Sequence, residues 1–231
     1  MNRVIFLLWL PLGLGCTSAV AASSKPGFVP IFNGRNLDGW QGIGGDTTSY
    51  FLNDEGELVC NETGKVHIFT VKEYANFVLR LEIKLDPGGN NGIGIRTKVS
   101  KQPHLEGSEI QVLDDPYYVR GLPREGKDPK TWVPLKNYQH HGSIYGVVPA
   151  RPGHLKPAGE WNQQEIVCDG RRVKITLNGV VIVDANLAEV KPIDGLVHPG
   201  LNYTQGHIGL HAHGNYGAKV YFRNLRIKEL P

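Results

Sequence analysis

Histidine is the side chain best suited to carry protons near neutral pH, and the stretch GHIGLHAHG, Gly206 to Gly214, holds His207, His211 and His213. Read with the two-residue period of a strand, all three share a face, and Ile208, Leu210 and Ala212 share the other. Other segments repeat the pattern. In NNGIGIRT, Asn90, Gly92, Gly94 and Arg96 lie opposite Ile93 and Ile95. In SEIQVLDD, Glu109 and Gln111 lie opposite Ile110 and Val112. In HHGSIYG, His141, Ser143 and Tyr145 lie opposite Ile144. Alternation alone is what any solvated sheet face shows. Here the polar side is poor in Lys and rich in types that give, take or stabilise a proton or an anion. That composition points to a functional face, such as the concave sheet of a sugar-binding sandwich would show. Asn91, Asp114 and Trp132 join Gln111 and His213 as candidate binding residues. His207, at the strand start, is expected on the rim.

Strands must position these residues. FVLRLEIKL alternates cleanly, with Phe77, Leu79, Leu81, Ile83 and Leu85 opposite Val78, Arg80, Glu82 and Lys84. RRVKITLNGVVIVDA reads as a hairpin turning at Asn178-Gly179. VYFRNLRIKEL points Val220, Phe222, Leu225 and Ile227 inward only if a bulge or bend lies near Asn224. Thirteen such runs, punctuated by Gly, Asn, Asp and Pro, leave no room for a substantial helix. The expected fold is an all-β, concanavalin-like jelly-roll sandwich of two antiparallel sheets. The longest loop-like stretch, Asp114 to Gly142, carries Tyr117, Tyr118, Trp132 and Tyr138. Aromatic and charged residues around a sheet suit a sugar, whose ring faces stack while its hydroxyls hydrogen-bond.

Residues 1–22 read as a leader: Arg3, the apolar run VIFLLWLPLGLG, then small residues through Ala21. The run is too short for a membrane span. Export to the periplasm or the extracellular space is expected, with Cys16 offering an alternative, lipid-anchored start. Residues 23–27 would be a linker and 28–231 a single domain. The chain has Lys+Arg 25 against Asp+Glu 22, a balance that argues against nucleic acid or an anionic membrane as partner. Cys60 and Cys168 sit in apolar runs and are expected to be buried thiols.

Familiar catalytic patterns are missing. There is no H-E-x-x-H, no G-x-S-x-G and no nucleotide-binding glycine loop, and Glu106, Glu109 and Asp114 lack the spacing of a jelly-roll glucanase. A divalent metal such as Mn, Co, Zn or Ca is compatible with His211, His213 and Glu109 as ligands, although no spacing demands one.

PIFNGRNLDGW, GGNNGIGIR, SEIQVLDD, GSIYG, GHIGLHAHG and the closing FRNLRIKEL together resemble the exported bacterial domain of unknown function 1080. That family comprises 3-keto-disaccharide hydrolases, or 3-keto-glucoside lyase/hydratases, and the resemblance runs from Phe28 to Leu230. It implies a small-molecule glycoside substrate, already oxidised at C3 by a separate oxidoreductase. A base takes the acidic C2 proton, the enolate is stabilised, the C1 aglycone leaves and water adds. For that chemistry Glu109 or His211 is the expected base, His211 standing where the family often has Gln. Arg96 or a histidine-held metal would stabilise the oxyanion, and Tyr145 or His141 would be the acid. A non-catalytic carbohydrate-binding module with the same face is the alternative.

Overall fold

A computed structural model describes residues 27–120, 133–214 and 218–231, without the side chains of residues 119 and 120. The leader and lipid-anchor readings, and Trp132, lie outside the described residues. Alternating apolar residues fold into two antiparallel sheets packed face to face, in the jelly-roll manner expected. The larger sheet runs β11 (Val180–Asn186), β10 (Arg172–Leu177), β9 (Asn162–Asp169), β6 (Phe77–Leu85), β13 (Val220–Glu229), β4 (Leu58–Cys60), β3 (Tyr50–Leu52), with β1 (Val29–Pro30) also on β13. The smaller sheet runs β2 (Trp40–Gly42), β5 (Ile68–Tyr74), β12 (Gly206–Ala212), β7 (Asn90–Thr97), β8 (Ser108–Leu113).

The core lies between them. Leu79, Ile83, Phe222 and Ile227 of one sheet meet Ile93, Ile110, Ile208 and Leu210 of the other, all buried. Each such side chain contributes about 1.5–3 kcal/mol when taken out of water. The Asn178-Gly179 turn has φ of 50° and 84°, as a type I′ hairpin requires. The expected irregularity in β13 is present: Asn224 has φ 55° and the register with β6 shifts between Arg223 and Arg226. Cys60 and Cys168 are free, buried thiols. Among the described residues no helix is long and apolar enough to cross a membrane.

Two readings need correction. GSIYG is not a strand; it is hydrogen-bonded along the free edge of β8, with Gln111 N–H donating to Ser143 O at 2.9 Å and Tyr145 N–H to Glu109 O at 2.8 Å. Tyr118 and Tyr138 are not a stacking rim. Tyr118 is buried and its hydroxyl donates to Gly88 O at 2.7 Å. Tyr138 is packed edge-on against Tyr145, with ring centres 5.7 Å apart.

Candidate active site

The site forms on the outward face of the smaller sheet, across three neighbouring strands. Register sets Gly94 of β7 opposite Glu109 of β8 and Gly209 of β12, and Gly92 opposite Gln111 and His211. With glycine at both of these positions of the middle strand, Glu109 and His211 lie down over it from either side. A Cβ at Gly92 would overlap the Glu109 carboxylate. One at Gly94 would lie 2.5 Å from His211 Nε2, and one at Gly209 2.8 Å from the same atom. The glycines therefore make a floor for protein side chains, where the sequence had suggested room for a ligand.

On that floor Glu109, 3 % exposed, accepts a hydrogen bond from His213 Nε2 at 3.0 Å. His211 Nδ1 lies 3.4 Å from the same carboxylate oxygen. Burial works against the charge on Glu109, but His211 and His213 outweigh it and hold the carboxyl well below the usual carboxylate range. His211 is fully buried, and neither of its ring nitrogens makes a hydrogen bond among the described residues. His67, just before β5, packs on it with ring centres 5.4 Å apart. Burial, with His211 and His213 nearby, pushes His67 down to about 4, so it is neutral. His213 differs, with its side chain 33 % exposed at the cavity.

That cavity, about 160 Å³, is lined by Asn90, His104, Glu109, Gln111, Gln139, Tyr145 and His213. Gln111 Nε2 donates to Asn90 Oδ1 at 3.3 Å, and Gln139 Nε2 to the Tyr145 hydroxyl at 3.1 Å. Burial raises the Tyr145 phenol, which stays protonated; it also lowers His104. Roomier hollows lie on the larger sheet, for instance one of about 250 Å³. Its walls include Arg80 and Glu165, which are paired with each other, so it offers no unengaged acid or base of comparable kind.

Of the sequence candidates, Glu109, Gln111, His211, His213 and Tyr145 come together here. Arg96 does not. It has φ 50°, and the register with β12 shifts beside it, which breaks the period-two count from Gly94. Its guanidinium donates to Ala75 O at 2.8 Å, Gly170 O at 2.7 Å and Asn76 Oδ1 at 3.1 Å, tying turns together. His141 is buried between the sheets: Nδ1 accepts from Leu113 N–H at 3.2 Å, and Nε2 donates to Gln164 Oε1 at 3.1 Å. Asp114 caps a turn by accepting from Gly88 N–H at 2.9 Å. Asn91 faces inward to the Tyr50 hydroxyl, and its neighbour Asn90 reaches the cavity instead. His207 stands away from the cavity against Thr70 O and Glu73, as expected of a rim residue.

Sequence reading passed over His67, His104 and Gln139. VHIFTV did carry a signal for the first, since alternation sets His67 opposite the core residue Ile68. The other two sit in irregular loops with no period to read. The trio expected as metal ligands is held together here by direct contact: His213 Nε2 lies 3.0 Å and His211 Nδ1 3.4 Å from one Glu109 oxygen, a spacing that donor atoms around a single divalent ion also have.

Known proteins share this chain's fold and sequence. A 3-keto-disaccharide hydrolase from Bacteroides thetaiotaomicron is 25 % identical, covering 88 % of this chain and 79 % of its own. The crystal structure of a Parabacteroides distasonis protein inferred to be a glycosyl hydrolase is 27 % identical, with a TM-score of 0.73, covering 89 % of this chain and 94 % of that one. The carbohydrate-binding module CBM66 from Bacillus subtilis shares the fold alone, at 14 % identity and TM-score 0.52, over 83 % of this chain and 96 % of its own. The 3-keto-alpha-glucoside-1,2-lyase-like domain matches residues 27–228, and the chain belongs to that family.

Proposed function

We propose that this protein cleaves 3-keto-glucosides, 3-keto-disaccharides among them, by proton abstraction at C2, elimination at C1 and hydration. The observation that carries the reading is the buried Glu109 carboxylate holding His213 at the cavity wall. An ionised Glu109 accepts a hydrogen bond from His213 Nε2–H, which turns the lone pair of the imidazole to Nδ1. His213 is then the base for the C2 proton, which the C3 carbonyl acidifies. The electron pair moves to the C3 oxygen as an enolate, near the amide N–H groups of Gln111 and Asn90. As the enolate collapses, the C1–O bond breaks and Tyr145 protonates the departing oxygen. Water then adds across C1=C2 of the 2-hydroxy-glucal, its hydroxyl going to C1 and its proton to C2. The net change is hydrolysis. His211, beside the Glu109 carboxylate, and His67, packed on His211, are positioning residues. Arg96 and His141 have no part in it.

The 3-keto substrate implies a preceding oxidation of the glucoside at C3. The leader-like residues 1–22 would place the reaction outside the cytoplasm. The test is to incubate the purified protein with a 3-keto-glucoside and measure released aglycone, with and without EDTA. Release that persists in EDTA is expected. Glycan binding without release would make the domain a non-catalytic carbohydrate-binding module. Release abolished by EDTA and restored by a divalent ion would return the site to metal chemistry.

A further inference from the structure

The segment between β11 and β12 is fastened to the site at two points. Ile193 N–H donates to Gly146 O at 2.7 Å, one residue beyond Tyr145, and Gly200 N–H donates to Leu105 O at 2.9 Å, one residue beyond His104. Between these ties Asp194 and His198 form a buried pair, Oδ2 to Nε2 2.8 Å, with side chains 5 % and 1 % exposed. Asp194 Oδ1 also accepts the Leu196 N–H at 2.9 Å. Gly146 packs onto the pair so closely that a Cβ there would overlap the Asp194 carboxylate. A surface loop is thus latched from beneath by a hydrogen-bonded Asp–His pair. The side chains it holds out are apolar: Ile193 is 50 %, Leu196 52 % and Val197 82 % exposed. Three large apolar side chains kept in water, on a loop tied to the chain neighbours of the cavity residues Tyr145 and His104, mark a contact surface.

We propose that Ile193, Leu196 and Val197 form a subsite for the leaving group, selecting glucosides with an apolar aglycone such as an aryl group over those with a second sugar. This rests on the reaction proposed above. The proton donor to the departing oxygen is Tyr145, so the leaving group lies on the Tyr145 side of the cavity. The loop is bonded to the residue next to Tyr145. Covering two exposed aliphatic side chains with an aromatic ring removes enough apolar surface for about a tenfold gain in binding.

The experiment compares phenyl 3-keto-glucoside with a 3-keto-disaccharide, in the unaltered protein and in the Leu196→Ser/Val197→Ser double variant, whose changes are at the surface. Turnover of the phenyl substrate should fall about tenfold in kcat/KM, mostly through KM, with the disaccharide changed less than twofold. Equal changes for both substrates, or none, overturn the subsite. If the unaltered protein turns over neither substrate, the reaction falls, and calorimetric binding of phenyl glucoside decides the subsite separately. A preference for phenyl glucoside over a disaccharide that the double variant loses supports it; the same affinities in both proteins overturn it.

Discussion

The outward faces of the two sheets draw on similar residues and use them differently. On the larger sheet Arg80 meets Glu165 at 2.7 Å, Arg223 meets Glu82 at 2.6 Å and Arg172 meets Asp184 at 2.7 Å. These side chains stand up from strands that carry bulky neighbours, and their arginines remain 40 % to 70 % exposed. Water screens such pairs, and each contributes little. On the smaller sheet Glu109 and His211 lie flat over Gly92 and Gly94 and lose their water. There the neighbouring histidines act on the carboxylate at short range in a poorer dielectric, strongly enough to keep it ionised against burial. Bare backbone on one strand separates a face of buried acid and base groups from a wet one.

The sharpest break in that contrast is Glu109→Gln. It keeps the shape and removes the charge, so kcat/KM for a 3-keto-glucoside should fall about 10³-fold. A change under tenfold would remove Glu109 from the mechanism. Next is Gly92→Ala, which lifts the carboxylate off its floor and misplaces it, for about a 10²-fold loss. Glu82→Ala, on the other face, should leave turnover within twofold; similar losses from both would dissolve the comparison.

Between the faces, His141 gives a pH signature in stability. Burial pushes it down to about 4, whereas the unfolded side chain titrates near 6.5. Between those values the unfolded chain binds the proton and the folded chain does not. Stability therefore falls as pH drops through that window, by about 1 kcal/mol per unit from this residue. Urea unfolding at pH 7 and pH 5 should show a shallower pH dependence for His141→Gln, and an unchanged one would refute the buried neutral assignment. Smallest is the Arg80–Glu165 coupling, about 0.5 kcal/mol in a double-mutant cycle. A value above 2 kcal/mol would mean that the larger sheet's face is no ordinary wet surface.

Much was legible along the chain because alternation is a local property. The thirteen strand runs included twelve of the observed strands; GSIYG was over-read and Trp40–Gly42 missed, a three-residue strand being too short to show a period. The Asn178-Gly179 turn and the irregularity at Asn224 follow from residue type and from the phase of the inward residues. Glu109, Gln111, His211, His213 and Tyr145 were all readable as one polar face. Arg96 was misread because a residue with positive φ resets the count, and nothing in the letters GIGIR announces that reset. His141 and Asp114 were misread because a polar side chain can turn inward whenever the fold supplies partners, here Leu113 and Gln164 for one and Gly88 for the other.

By itself, then, the sequence determined the class of fold, the inward and outward faces of its strands and the residue types available for proton transfer. Side-chain periodicity needs only the neighbouring residues along the chain. Tertiary structure decided that β12, β7 and β8 lie side by side in one register, and therefore that Glu109 and His211 meet over glycine. It also packed His67 against His211 and carried Arg96 away. Proximity between residues a hundred positions apart depends on strand order and register, which come from packing the whole core.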